Sequence, residues 1–432
     1  MADQPGGRTR WRRRVVFGGG AILWAALTAV TFIDARAESA TLLGLVVAAS
    51  AAYVAALWAV RGWTMSRREL TWCLLLALTW RLPLAAAAPV LSDDVYRYVW
   101  DGRVQRLGYN PFETAPADPA LEALQTDVTR RIDPTSAALP TIYPPAAQLF
   151  FRAVTAVHES VGALLLATLL CDALIVWVLW QWLGASGGGA MAVLAYAWHP
   201  LVAIEGAGGG HVDLLGTLLV VGSAWLLTRR RTLGASIVFV VAVAVKFLPI
   251  VLAPLFWGRV RVRDMAVAGA VGVGLYLPFL GTIGGLPTGS LGTYTEKWRF
   301  NGPLFAWLEP SVGIVGSLCV AVGAGLLVAA AARRWLGPEA PSAWAWPVAT
   351  TVLLLPAIYP WYLLWVTPFL SAPALAPLVA WTLASLLTYA VWGPALSGLG
   401  WVLPDWVMPV EYGLVAATAV VTLWMWRRHR RA

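Results

Sequence analysis

The chain alternates long apolar runs with short polar breaks, and many of the breaks carry arginine. Several runs approach the ~20 residues that an α-helix needs to cross a hydrocarbon core of ~30 Å. Backbone polar groups in lipid must be satisfied within the segment, so such spans are helical. The pattern predicts spans near residues 15–33, 40–60 and 70–90, with more following to the C-terminus. Two runs break the rule. Residues 233–257 are apolar but have arginines at both ends, Arg229 to Arg231 before them and Arg259, Arg261 and Arg263 after. A stretch of 25 residues cannot cross twice at full length. It predicts two short helices meeting near "VKFLP", with Lys246 at the apex. The run "LLLPAIYPWYLLWVTPFL" splits by the same logic near Pro360. The expectation is an all-α polytopic membrane protein with about 12–14 transmembrane or half-membrane helices.

Composition agrees. The 432 residues are 59% hydrophobic and 12% charged, which excludes a soluble surface for most of the chain. The 26 Trp suit aromatic belts at membrane interfaces. A net charge of +9 invites a nucleic-acid reading, but the arginines sit in short clusters between apolar runs. That is the positive-inside pattern, and no nucleic-acid partner is implied. "RTRWRRR" before the first span puts the N-terminus in the cytoplasm, and "RRHRR" does the same for the C-terminus. The first stretch reads as an anchor rather than a removed signal. On this topology nine Lys and Arg lie outside and twenty inside, with Arg81 and Lys246 in the membrane. The chain is then a multi-pass plasma-membrane protein, a single domain over 1–432. Cys73, Cys171 and Cys319 each sit alone in apolar segments, so neither disulfide nor metal site is predicted.

The topology places residues 91–142 outside the cell, in a connection much longer than the ~12–15 residues at which loops are usually functional. A second outer loop spans 284–305. The first begins "VLSDDVYRYVWDGRVQRLGYNPF", where Ser92 fits an N-cap with Asp93 and Asp94 in the following turn. Asp94, Arg97, Tyr98 and Asp101 then share a helix face. Acids at a helix start complement the dipole, and Asp93 with Arg97 makes an ordinary i, i+4 pair. At a membrane exit the same groups suit chemistry: a carboxylate can deprotonate a sugar hydroxyl, while arginines and Tyr98 meet an anionic headgroup. Arg81 and Lys246 are intramembrane cations, costly and hence functional candidates, with snorkelling or a buried ion pair as the other reading. Lys246, at a helix break, points to a lipid phosphate.

"EGAGGGHVDLLG" lacks the GK[ST] of a nucleotide loop, but His211 and Asp213 mark a polar pocket. As metal ligands the pair is insufficient, and no metal site is assigned. "TIYPPAAQLFF", with Tyr143, starts a helix at prolines and suits a half-length re-entrant segment. In "EKWRFNGPLF", Trp298, Arg299 and Asn301 suit sugar stacking and hydrogen bonding, or interfacial anchoring.

Taken in order, "SDDVYRYVWDGRVQRLGYNPF", "IYPPAAQLFF", "WHPLVAIEGAGGGHVDLLG", "VKFLPIVLAPL", "KWRFNGPLF" and "YPWYLLWVTPFL" resemble the bacterial polyprenyl-phosphate-mannose-dependent mannosyltransferases of the GT-C membrane glycosyltransferases. The resemblance runs from about residue 80 to 372. It implies a GT-C fold with a long extracytoplasmic first catalytic loop, a polyprenyl-phosphate sugar donor, a glycan or glycolipid acceptor, and one hexose moved with inversion. It also implies that Asp94, with Asp93 beside it, is the general base. Arg97, Tyr98, Lys246 and Arg81 then resemble donor-phosphate contacts; Asp101, Tyr143, His211, Asp213, Trp298, Arg299 and Asn301 resemble sugar or acceptor contacts. No cofactor is required, since no nucleotide diphosphate leaves, though a divalent cation is compatible. A transporter or flippase for lipid-linked sugars is the rival class, because broken helices and membrane cations serve that too.

Overall fold

In a computed structural model, residues 5–183, 189–281 and 287–431 are described, so positions 284–286 of the second predicted outer loop lie outside them. Among the described residues the chain is helical, with one isolated bridge between Phe300 and Ala357. Eight helices are long and apolar enough to span a membrane. A ninth span is formed if Gly189–Ala197 and Val202–Gly208, bent by 57°, are taken together. Shorter apolar helices lie at Asp213–Thr228 and Thr232–Val243, the second at the start of the part-length run expected over 233–257. The protein is an all-α multi-pass membrane protein.

Two compact units divide the chain. The first holds Met1–Leu91, Val176–Gly208 and Tyr359–Ala432. Its opening helices, Pro5–Ala29, Ser39–Val60 and Arg67–Ala86, fall close to the predicted spans. Small residues let them approach: a Cβ on Gly19 would lie 3.0 Å from the Ala52 carbonyl, and one on Gly20 2.7 Å from Leu76. The third helix starts at a capping box, in which Glu69 reaches back to the Ser66 amide while the Ser66 hydroxyl accepts from the Glu69 amide. Several polar side chains inside this unit are paired. Tyr53 donates to the Ala195 carbonyl at 2.6 Å, His199 and Thr382 meet at 2.9 Å, and the Tyr389 hydroxyl bonds Glu205.

The second unit, Ser92–Ile175 with Gly209–Ile358, contains the charged stretch. Its helix runs Asp94–Arg106, with Asp93 at the cap position, one residue later than Ser92 would place it. The Ser92 hydroxyl instead accepts from the Asp94 amide at 3.3 Å. Pro145–Val157 packs across it at very short range, because Gly102 removes the Cβ that would strike Thr155 Oγ1 at 2.4 Å and the Phe151 carbonyl at 2.6 Å. The apolar core here joins Val95, Val99, Trp100, Phe151, Val212 and Val245. Thr232–Val243 ends after 12 residues, and a 3₁₀ helix follows at Leu248–Phe256, so the break predicted around Lys246 is present. Beyond Arg106 the long connection is folded back by Arg103, whose Nε donates to the Leu124 carbonyl at 2.9 Å, and by short helical turns at Pro119–Leu124, Thr129–Arg131 and Pro134–Ala137.

Candidate active site

Five groups meet at the start of the Asp94–Arg106 helix. Asp94 stands at its first position with the side chain 33% exposed. The Tyr143 hydroxyl donates to Asp94 Oδ2 at 3.1 Å, and His211 Nδ1 lies 3.6 Å from the same oxygen. Both approach the same carboxylate oxygen, Oδ2. Burial pushes the Asp94 carboxyl up, but His211, the Lys246 charge and the Tyr143 hydroxyl outweigh it and hold the group below the usual carboxylate range. Tyr143 is pushed well above an ordinary phenol by burial and then by the negative Asp94, so it stays a donor. Tyr98 is raised the same way; its ring stacks on Phe151 at 4.4 Å and meets Tyr143 edge-on at 5.1 Å.

Asp94 and Tyr98 share one helix, and the other groups arrive from separate segments. Gly210 has φ +67°, and a Cβ there would meet Leu165 at 2.7 Å, so only glycine turns the chain to deliver His211. His211 is fully buried. Lys246 comes from the helix break and is paired with Asp213 at 2.8 Å, where Asp213 opens the Asp213–Thr228 helix. Asp213 is 1% exposed and Lys246 22%, so the carboxylate is shielded while the ammonium keeps some access to solvent.

Two predicted ligands have other tasks. Asp101 is 0% exposed: Oδ1 accepts from Arg97 Nε at 2.8 Å, and Oδ2 accepts from Thr141 at 2.7 Å and Gln148 at 2.9 Å. Arg97 pairs with Asp101 rather than making the Asp93 pair its spacing allowed, and its Nη1 donates to the Ser136 and Leu139 carbonyls. Both residues pin the connection that carries Tyr143. The carboxylate is spent on the protein; the guanidinium is engaged through Nε and Nη1, while its buried Nη2 has no protein partner.

Arg81 belongs to the first unit, buried in the third helix, where Nη1 donates to the Ala77 carbonyl at 3.3 Å. Trp298, Arg299 and Asn301 form a group of their own. Trp298 stacks on Tyr294 at 5.1 Å, Arg299 pairs with Glu309 at 2.7 Å, and Asn301 has φ +51° in a turn where Phe300 bridges Ala357. Asp93 keeps its place as the half-buried neighbour of Asp94. Thr141 and Gln148 were not singled out from sequence, although Gln148 is the lone polar residue in "PPAAQLFF" and that isolation was the available signal. Among the described residues no group of three or more His, Cys, Asp or Glu is arranged to hold a metal.

With this geometry in view, the profile of the family described as alpha-(1->6)-mannopyranosyltransferase, N-terminal domain, matches residues 16–261. The chain belongs to this family. The matched region carries Asp94, Tyr143, His211, Asp213 and Lys246, and the motif resemblance to bacterial GT-C mannosyltransferases stands. Among curated members of this mannopyranosyltransferase group, the chain is similar to alpha-(1->6)-mannopyranosyltransferase A of Mycobacterium tuberculosis, with 26% identity over 338 residues, covering 66% of this chain and 62% of that relative. A second alpha-(1->6)-mannopyranosyltransferase of the same organism is 27% identical over 415 residues, covering 74% of this chain and 68% of its own length. The chain thus spans less than two thirds of the first of these relatives. No solved structure matches.

Proposed function

We propose that this chain is an inverting mannosyltransferase that moves one mannose from a polyprenyl-phosphate donor to a glycan or glycolipid acceptor at the outer face of the plasma membrane. The observation that carries the reading is Asp94: a half-exposed carboxylate at a helix start, kept ionised by His211, Lys246 and Tyr143. The carboxylate takes the proton of the acceptor hydroxyl as the hydroxyl oxygen bonds to the anomeric carbon. The bond from the anomeric carbon to phosphate breaks, and the leaving phosphate gains a second negative charge. Lys246, held by Asp213, offers the nearest ammonium to meet it. The step needs no metal. A β-linked donor gives an α product, and the names of the relatives support an α-(1→6) linkage.

Arg81, Trp298, Arg299 and Asn301 enter this proposal as contacts to the donor or acceptor away from the reacting atoms. The arginine distribution supports cytoplasmic termini and an external Asp94. Membranes containing the protein, given radiolabelled polyprenyl-phosphate mannose, glucose and arabinose in turn, test the reading. Transfer of single mannose residues, with an α-(1→6) bond on linkage analysis, supports it. Transfer of another sugar, of whole chains, or of none refutes it. A cysteine at Glu122, introduced with the three native cysteines replaced, reacts with an impermeant maleimide on intact cells if the sidedness is right.

A further inference from the structure

A buried polar junction underlies the contact between Tyr143 and Asp94, and its donors and acceptors can be counted. Thr141 Oγ1 gives its one proton to Asp101 Oδ2 at 2.7 Å. Its lone pairs accept from Gln148 Nε2 at 2.8 Å and from the Tyr143 backbone amide at 3.2 Å. Gln148 Nε2 uses its second proton on Asp101 Oδ2 at 2.9 Å, and Gln148 Oε1 accepts from Gln105 Nε2 at 2.9 Å. Thr141 and Gln148 are 1% and 0% exposed. The hydroxyl and both amide protons are therefore spent, and the one lone pair left on Gln148 Oε1 is buried away from any substrate.

The same segment reaches the other site groups. Three residues beyond Tyr143, the free amide of Ala146 donates to the Ala244 carbonyl at 2.9 Å, two residues before Lys246. The Thr141 carbonyl accepts from the Ser290 amide at 3.3 Å, and the Ser290 hydroxyl donates to the Pro140 carbonyl at 2.7 Å. Residues 141–146 thus tie the Asp94 helix to the segment that carries Lys246. Charge buried at this density is a poor source of stability, because desolvation offsets most of the attraction between Arg97 and Asp101. What it supplies is geometry.

We infer that Thr141 and Gln148 are positioning residues that set the Tyr143 hydroxyl on Asp94, acting through the Tyr143 backbone amide. The inference rests on the function proposed above, and a double-mutant cycle tests it with two readouts. The four proteins are the parent, Thr141→Val, Tyr143→Phe and the double variant. One readout is mannose transfer; the other is labelling of Asp94 by a water-soluble carbodiimide, followed by peptide mass spectrometry.

Thr141→Val keeps the shape and removes the hydroxyl. It lowers kcat about tenfold, the worth of one buried hydrogen bond, with donor KM unchanged. It adds nothing in the Tyr143→Phe background, and Thr141→Ser restores the rate. Asp94 labelling rises by the same factor in both single variants and in the double. Equal cost of Thr141→Val in both backgrounds, a change confined to KM, or parental Asp94 labelling in Thr141→Val overturns the inference. If the parent transfers no sugar, the proposed function falls and the labelling cycle alone decides the positioning role. Should Thr141→Val not accumulate, Gln148→Met replaces it with the same pattern expected, since it approximates the shape and loses both amide protons without adding a charge beside Asp101.

Discussion

Replacing Lys246 by Met separates the structural from the chemical use of its charge. Nζ lies 2.8 Å from Asp213 Oδ1, with the side chains 22% and 1% exposed. At an effective dielectric near 20 the attraction at that distance is about 6 kcal/mol, most of it offset by taking both charges out of water. Removing only the cation leaves Asp213 buried without the Lys246 charge, which costs about 3 kcal/mol, at the low end of the range because Lys246 keeps some water. Replacing both residues, Lys246→Met with Asp213→Asn, removes the stranded charge and recovers most of that loss. The assay has two parts. Thermal unfolding in detergent follows the stability, and transfer from polyprenyl-phosphate mannose follows the chemistry. Lys246→Met lowers the unfolding midpoint, and the double variant restores it toward the parent. Transfer falls by about 10²–10³ in both, the scale of losing one charged group that meets a developing anion. If the double variant regains transfer along with stability, Lys246 is a structural ion-pair partner and the phosphate role is wrong.

Three further outcomes follow from the site. Asp94 has a folded pKa below its ordinary value, so its base form, and the stability it brings, persist above the usual carboxylate range of about 4 and are lost as pH falls through the depressed value. Transfer therefore shows no acid limb from Asp94 between about pH 5 and 8, and Tyr143→Phe, by removing one lowering contact, moves the limb upward in a pH–rate profile. Asp101→Ala strands the buried Arg97 guanidinium and costs about 3–5 kcal/mol, read as a lower unfolding midpoint and faster proteolysis between residues 113 and 131. Gly210→Ala forces φ +67° on a residue with a Cβ and costs about 1–2 kcal/mol locally; transfer drops through the shift of His211 while donor binding is kept.

The membrane architecture was legible because its cause is one-dimensional. Apolar run length and arginine placement report directly on spans, and the mismatch over 233–257 was enough to find the break at Lys246. Motif chemistry located Asp94, Tyr143, His211 and Lys246 for a similar reason: polar groups in a chain this apolar are few. Pairing was not legible. Spacing allowed Arg97 to bond Asp93 or Asp101, and the choice fell to Asp101 because Thr141 and Gln148, some 40 residues on, complete the shell around that carboxylate. Asp213 and Lys246 are likewise distant in sequence, and nothing local marks one as the other's partner. Sequence nominated charged residues as ligands, and the structure adds which of them pair with one another.

The central claim is that Asp94 is the base of a mannosyl transfer. Asp94→Asn keeps the size and the helix start while removing the negative charge. Initial rates of transfer from polyprenyl-phosphate mannose, measured on purified parent and variant with donor binding checked in parallel, test it directly. Loss of the base lowers the rate at least about 10³-fold with donor affinity kept. A variant that transfers mannose at the parental rate contradicts it.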